Sequence, residues 1–204
     1  MSVWQERPNR GAQDMNIARR LSMLAGGAML ATAVAETLWE AVYLVDGPGN
    51  FGWPVREGFH CVDRLAPRDP PADCPRMDAQ GYRMQDPVVE YPNMQVMHPD
   101  TRVEAEGVGT AVTGARIYRG GAIPGWQGRM VISDWSFDFQ QPSGQIFTAA
   151  PAREFGAPWV LEKQLEVPGR VVGLAADAAG EILVLTNDNF GPFGETGKVY
   201  RLVE

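Results

Sequence analysis

The chain has only two cysteines and two histidines, and three of these four residues lie between positions 60 and 74. Cys61 and Cys74 are its only cysteines, and His60, one of two histidines, precedes the first of them. Two cysteines can form a disulfide, remain reduced thiols, or bind zinc together with histidine. Zinc is disfavoured because no C-x-x-C spacing occurs and His98 is the only other histidine. The intervening loop is rich in Pro and Asp, which favours a disulfide and leaves two reduced thiols as the alternative.

Short apolar runs separated by Gly- and Pro-containing turns predict an all-β fold around these residues. Four predicted strands fall within about 50 residues in the middle of the chain, which is the content of one β-propeller blade. Three predicted strands follow this group and three precede it. The predicted strands lie near residues 28–32, 38–46, 87–91, 115–119, 128–134, 144–149, 158–166, 170–175, 181–186 and 198–203.

The segment at residues 49–61 has the most unusual composition in the chain. Its glycines and its proline restrict the backbone, while Phe51 and Trp53 supply large apolar area. The segment therefore predicts a structured turn between strands. Arg56 and Glu57 are expected to pair with each other at its margin.

This segment resembles a sequence signature of the glucose/sorbosone dehydrogenase family. The resemblance is carried by Asn50-Phe51-Gly52-Trp53-Pro54, followed by Glu57-Gly58 and by His60-Cys61. Stretches at 112–121, 128–135 and 144–147 are also similar to family members, and the resemblance extends over residues 20–204. Proteins of this family are quinoproteins that use pyrroloquinoline quinone on a six-bladed β-propeller.

Chain length limits how much of such a propeller is present. A six-bladed propeller needs roughly 300 residues, at ~45 to 50 per blade, whereas this chain has 204. We therefore expect a partial propeller of about three blades of four-stranded antiparallel sheet, corresponding to the C-terminal half, over residues 15–204. Residues 1–14 are expected to be a disordered leader, and residues 62–107 a long Pro-rich loop. A truncated product, a piece of a split protein and an internal start all stay open.

The resemblance implies part of an aldose or sorbosone dehydrogenase, which oxidises a sugar by hydride transfer to the quinone while calcium polarises the quinone. A histidine held by a carboxylate acts as the base in these enzymes. His60 is not in the matching position and His98 lies in the long loop, so no catalytic residue is assigned. A missing N-terminal half or an oligomer would have to supply the base. The alternatives are a non-catalytic propeller module that binds carbohydrate or protein, and an inactive fragment.

Three residues are candidate contacts to the quinone, whose carboxylates require fixed cations. Arg170 aligns with a family arginine that reaches the central face, although an arginine at a strand start is often a rim residue. Arg116 alternates with apolar neighbours and is more typical of a solvated strand position. Trp135 belongs to a turn that matches the wider family, in which Asp134 is expected to cap the turn. The oxygen-rich run at residues 187–189 has ligands for calcium, but such a run between strands is usually an Asx turn.

Charge and the N-terminal sequence bear on partners and location. The net charge is -7, from 18 Lys+Arg and 25 Asp+Glu residues, and this argues against nucleic acid and against anionic membrane surfaces as partners. Residues 17–35 contain two arginines and a small apolar run ending in Ala-Val-Ala, which is typical of a secretory signal and is too short to span a bilayer. The alternative is a propeller strand, which we favour because the following residues continue the family register. The family and the expected disulfide predict a periplasmic or extracellular protein.

Overall fold

The structure is a computed structural model that describes residues 29–152, 157–191 and 193–204. The predicted leader at residues 1–14 and most of the signal-like segment lie outside these residues. The strands are β1 (Met29–Ala33), β2 (Trp39–Val45), β3 (Arg56–Glu57), β4 (His60–Cys61), β5 (Val89–Pro92), β6 (Val112–Ile117), β7 (Met130–Asp134), β8 (Ser143–Ala150), β9 (Val160–Pro168), β10 (Arg170–Ala176), β11 (Ile182–Asn187) and β12 (Lys198–Arg201). Short 3-10 helices occupy Met94–Met97 and Pro124–Trp126.

The strands form small antiparallel sheets that follow one another along the chain. Their orders are β1-β2-β5, β6-β7-β8-β9 and β10-β11-β12, and β3 pairs with β4 in a separate hairpin. The prediction of an all-β fold is confirmed, and the ten predicted strands correspond to the strands of the three larger sheets. The larger sheets have three, four and three strands, as the grouping of the predicted strands indicates, so the first and third are each one strand short of a four-stranded blade. The described strands form no closed barrel or ring.

The middle sheet is covered on both faces because its strands alternate apolar side chains with the period of two that a pleated strand imposes. Met130, Ile132 and Phe147 pack in one cluster with Val42 and other residues of the first sheet. The next residues along the same strands point to the opposite face. There they pack against the third sheet in a second cluster of Tyr118, Val131, Ile146, Val167, Val171, Ile182, Val184 and Leu202.

The first strand of each larger sheet lies next to the first strand of its neighbour. β6 contacts β1 on one side and β10 on the other. The three sheets are therefore stacked face to face with their leading strands adjacent.

The 49–61 segment forms a turn and a hairpin, as its composition predicts. The side-chain Oδ1 of Asn50 accepts the Gly52 N–H, and Gly52 has a φ of +102°, which a residue with a side chain rarely adopts. Arg56 and Glu57 then form β3. The expectation that they pair with each other is wrong: Arg56 pairs with Asp86, and Glu57 binds main-chain N–H groups. Adjacent strand residues point to opposite faces, which explains the separation.

Cys61 and Cys74 form the expected disulfide, which joins β4 to the Pro-rich loop. The predicted loop at residues 62–107 also contains β5, which pairs with β2, and the first 3-10 helix. A disulfide is typical of proteins in oxidising compartments and indicates a location outside the cytoplasm. In the part of the chain that the structure describes, no helix has the length and apolar character needed to cross a bilayer.

The end of the signal-like segment is a strand in the described residues. Residues 29–33 form β1, which pairs with β2 from Met29 opposite Val45 to Ala33 opposite Ala41. This pairing agrees with a strand at residues 29–33, while residues 17–28 lie outside the described residues.

We expect the disulfide to stabilise the protein by about 3 kcal/mol, because it closes a loop with a sequence separation of 13 residues. Replacing both cysteines with alanine should lower the free energy of unfolding by that amount in urea titrations. Thiol labelling of the unreduced, denatured protein should detect no free thiol. Two labelled cysteines per chain would contradict the assignment.

Candidate functional site

Arg170 lies at the start of β10 and joins two loops from neighbouring sheets. Its Nη1 donates to the Asp188 carbonyl at 2.6 Å, and its Nη2 donates to the carbonyls of Phe139 and Gln140 at 3.3 and 3.1 Å. Only 5% of the residue is exposed. A buried guanidinium of this kind holds the loop after β7 against the loop after β11.

Aromatic rings enclose the same guanidinium. Its central carbon lies 4.9 Å from the ring centroid of Trp135 and 5.8 Å from that of Phe190. The two rings meet edge to face with centroids 5.0 Å apart, and Phe139 lies 6.2 Å from Trp135. The Val171 N–H also donates to the Trp135 carbonyl at 2.9 Å. We refer to Arg170, Trp135, Phe139 and Phe190 as the Arg170 cluster.

The outer part of the Arg170 cluster is open to solvent. Phe190 is 65% exposed and Phe139 is 45% exposed, although both are large apolar side chains. Their loop supports are polar: the Asn189 N–H donates to Asn187 Oδ1, and Asp188 forms an ion pair with Lys198. Residues 187–189 therefore form the expected Asx turn. Phe139 and Phe190 therefore form an exposed aromatic surface on the loops after β7 and β11.

The third candidate contact, Arg116, lies toward the other end of the sheets. Strand register places Val112 opposite Asp134 and Ile117 opposite Met130, so Arg116 is near the end of β6 that is farther from Trp135. Arg116 lines a cavity of about 350 Å³ with Leu30 and Arg119, where the leading strands of the sheets meet. The structure thus brings Arg170 and Trp135 together and separates Arg116 from them.

The histidines occupy different surroundings. His60 stacks on Trp39 with ring centroids 3.7 Å apart, and its Nδ1 lies 3.0 Å from Glu90 Oε1. In the described structure His60 Nδ1 nevertheless forms no hydrogen bond. His98 is 3.5 Å from the exposed Asp100. A carboxylate accompanies each ring, but the described contacts connect neither histidine to the Arg170 cluster.

Two buried carboxylates, those of Asp134 and Glu40, accept hydrogen bonds from main-chain N–H groups. Asp134 accepts hydrogen bonds from the N–H groups of Thr110, Ala111 and Ser136 and from the Tyr91 hydroxyl. Asp134 therefore caps the turn, as expected. Burial raises its pKa to about 6, although the donors oppose that shift. Burial likewise raises the pKa of Glu40 to about 7 against three donors.

The Arg170 cluster does not fit a clamp for the quinone carboxylates. Both Nη atoms of Arg170 already bind carbonyl groups, and the Nε atom is enclosed without a partner in the described structure. Within residues 29–152, 157–191 and 193–204, no group of three or more His, Cys, Asp or Glu side chains is arranged to hold a metal ion. The exposed rings of Phe139 and Phe190 instead offer a surface on which the apolar face of a ligand can stack.

Phe139 and Phe190 are members of the cluster that sequence reasoning missed. Their signal was available, because both phenylalanines occur in predicted loops among Asn, Asp, Gln and Gly, where no core is expected to cover them. The carbonyl partners of Arg170 had no such signal, since any residue supplies a carbonyl.

Replacing Arg170 with methionine should lower the free energy of unfolding by about 2 kcal/mol, because three carbonyls lose a charged donor while the apolar stem remains. Arg116→Met is the matched control at an exposed strand position, with an expected change within about 0.5 kcal/mol. Chemical denaturation of both variants measures the difference. Equal, small effects would indicate that Arg170 is a free rim side chain.

No protein-family model matches this chain. The resemblance to the glucose/sorbosone dehydrogenase family therefore rests on the quoted motifs alone.

Proposed function

We propose that this chain is part of a β-propeller of the glucose/sorbosone dehydrogenase type and that the Arg170 cluster contributes its sugar-binding surface. The observation that carries the proposal is the contact between Arg170 and Trp135, two residues at positions where the chain resembles the family. The face-to-face stacking of the three sheets is consistent with successive blades.

The exposed rings suit a sugar better than they suit an anionic cofactor. The C–H groups on one face of a pyranose are weakly positive, and they stack on the negative face of an aromatic ring. Phe190 and Phe139 present such rings beside polar groups, including Asn189 and Gln140, that can bind sugar hydroxyls. Arg170 holds together the two loops that bear these rings and does not need to contact the ligand.

In the enzyme that we propose, pyrroloquinoline quinone would supply the hydride acceptor, and calcium would supply the charge that polarises it. Groups beyond the described residues would hold both. The residues of this chain bind and orient the sugar and exclude water from its apolar face. This division of roles agrees with the hydrogen bonds of Arg170, because its Nη atoms already donate to loop carbonyls and are not free to bind the quinone.

A carbohydrate-binding module without redox chemistry is the second candidate function. It is favoured by the same hydrogen bonds of Arg170 to loop carbonyls. They leave exposed aromatic rings and no guanidinium N–H₂ group free to bind an anionic cofactor. The two candidates share the sugar site and differ only in whether the bound sugar is oxidised.

Calorimetric titration with glucose and other aldoses tests the shared site. We expect saturable binding and, for Phe190→Ala, about tenfold weaker binding, equivalent to about 1.4 kcal/mol. The matched control is Tyr82→Ala, which removes a 72% exposed ring from the Pro-rich loop and should leave sugar affinity unchanged. Binding that is absent, or that responds equally to both variants, would contradict the proposal.

Adding pyrroloquinoline quinone, calcium, an aldose and a redox dye separates the two candidates. Sugar-dependent dye reduction supports the dehydrogenase. Sugar binding without dye reduction supports the binding module.

A further inference from the structure

The third sheet repeats the first three strands of the middle sheet position by position. The leading strands β6 and β10 each contain Val-x-Gly, at residues 112–114 and 171–173, and in both strands the pairing register shifts within this motif. Following the register across the neighbouring strands gives pairs of equivalent positions. They are Gly114 and Gly173, Ser133 and Leu185, Ile146 and Val199, and Phe147 and Tyr200.

Equivalent positions differ in how well they are covered. Ile146 points from the middle sheet toward the third sheet and is 0% exposed. Its equivalent in the third sheet, Val199, is also apolar but is 65% exposed. A Cβ placed on Gly114 would lie 3.3 Å from Leu174 Cγ of β10, whereas a Cβ on Gly173 would have no described atom within 4 Å. The third sheet therefore has the kind of face that receives another sheet, and the described residues leave that face open.

We refer to the side of the third sheet that points away from the middle sheet as the outer face. An antiparallel sheet with one face in water normally carries polar side chains there. The exposed residues of β9 follow this rule with Glu162, Gln164 and Glu166. Alternation along the strands gives the outer face mostly apolar residues instead. Besides Gly173, they include Ala175, Leu183, Leu185, Val199 and the single cation Arg201.

The opposite end of the stack is covered by the chain itself. Tyr43 points away from the middle sheet, because it alternates with Val42 of the first core cluster. There it packs edge to face on Phe51 and is only 4% exposed. The 49–61 segment thus occupies the side of the first sheet that a second stack would need for head-to-tail association. Two copies can instead meet through their outer faces, and such an isologous contact closes at two copies.

The cations of β12 do not oppose such a contact. Arg201 forms an ion pair with Asp177 at 3.2 Å, and Lys198 forms one with Asp188 at 2.7 Å. Like charges that face each other without partners weaken association. Because each of these cations is paired within its own chain, two identical outer faces can approach each other.

We propose that the outer face binds the outer face of a second copy of this chain, so that two third sheets pack face to face in a symmetric dimer. A face of three strands, each about seven residues long, covers roughly 300 Å². A standard interface buries about 800 Å² on each partner, so we expect a weak dimer with a Kd on the order of 10 μM. The inference does not rest on sugar binding at the Arg170 cluster.

Sedimentation velocity of the full chain between about 1 and about 200 μM tests the dimer. We expect the average mass to rise from one chain toward two as the concentration increases. Val199→Lys should weaken association about tenfold or more, because the dimer would bury an ammonium group without a partner. The matched control is Val160→Lys, since Val160 is 54% exposed on β9 and lies outside the outer face. It should leave association unchanged.

Amide nuclear magnetic resonance of the ¹⁵N-labelled chain locates the contact without any substitution. Rising concentration should shift the N–H signals of β10, β11 and β12 and leave those of β3 and β4 in place. Far-UV circular dichroism of the two lysine variants checks that each is folded. Three outcomes would overturn the inference: a single-chain mass over the whole range, assembly beyond two copies, or equal weakening by both lysine substitutions. The first would leave a different protein as the occupant of the outer face.

Discussion

Replacing Glu57 with alanine is expected to lower the free energy of unfolding by about 3–4 kcal/mol. The carboxylate accepts from the N–H groups of Glu36, Thr37, Leu38 and Trp39 at 2.7 to 3.3 Å, and from the Thr37 hydroxyl at 2.8 Å. Glu57 is only 6% exposed. Its removal leaves several donors without an acceptor and releases the hairpin from the segment that connects β1 to β2.

Two further substitutions identify the source of this effect. Glu57→Gln keeps the side-chain volume but turns an amide N–H₂ toward main-chain donors, so most of the loss should persist. Asp63→Ala is the matched control, because Asp63 also accepts from two main-chain N–H groups but lies on the exposed loop. We expect a loss below about 1 kcal/mol for that variant. Similar losses for Glu57→Ala and Asp63→Ala in urea titrations would show that the bonds of Glu57 exchange freely with water.

The strands could be predicted from the sequence because the cause of each is local. Alternation in Met130–Asp134 and Ile182–Asn187, with glycine or proline at the turns, is sufficient to specify extended backbone. The disulfide was also predictable, since the chain has a single pair of cysteines. The two-residue strands β3 and β4 were not separately predicted, because so short a pair has no periodicity.

The side-chain partners contributed by distant loops could not be predicted from the sequence. Arg56 and Glu57 are neighbours with opposite charges, and a local interpretation joins them, but the fold brings Asp86 to one and residues 36–39 to the other. The same limit applies to Arg170, whose partners are carbonyls from two distant loops. A motif identified these side chains as important, and only the tertiary contacts indicate what each one does.

Raising the pH from about 4 to 8 is expected to destabilise the protein through Glu40 and Asp134. Burial is the main cause that raises the pKa of Glu40 from 4.5 to about 7 and that of Asp134 from 3.8 to about 6. A folded-state pKa above the unfolded value means that the folded protein binds the proton more tightly. Each group therefore contributes stability that is complete below its unfolded pKa and is lost as the pH rises through its folded pKa.

The expected loss is on the order of 3 kcal/mol for each carboxyl. Urea titrations between pH 4 and 8 should show the free energy of unfolding falling mainly between pH 4 and 7. Repeating the titrations with His60 and His98 both replaced by glutamine isolates the contribution of the two carboxyl groups.

Tyr91→Phe tests whether Asp134 contributes to this dependence. The Tyr91 hydroxyl donates to Asp134 Oδ2 at 2.7 Å and favours the ionised carboxylate. Without that donor, the folded-state pKa of Asp134 should rise, and the loss of stability should extend to higher pH. Stability that stays constant or increases across the interval would mean that both carboxylates are ionised in the folded protein. In that case their main-chain donors would outweigh burial, and the loops behind the Arg170 cluster would be held by charged caps.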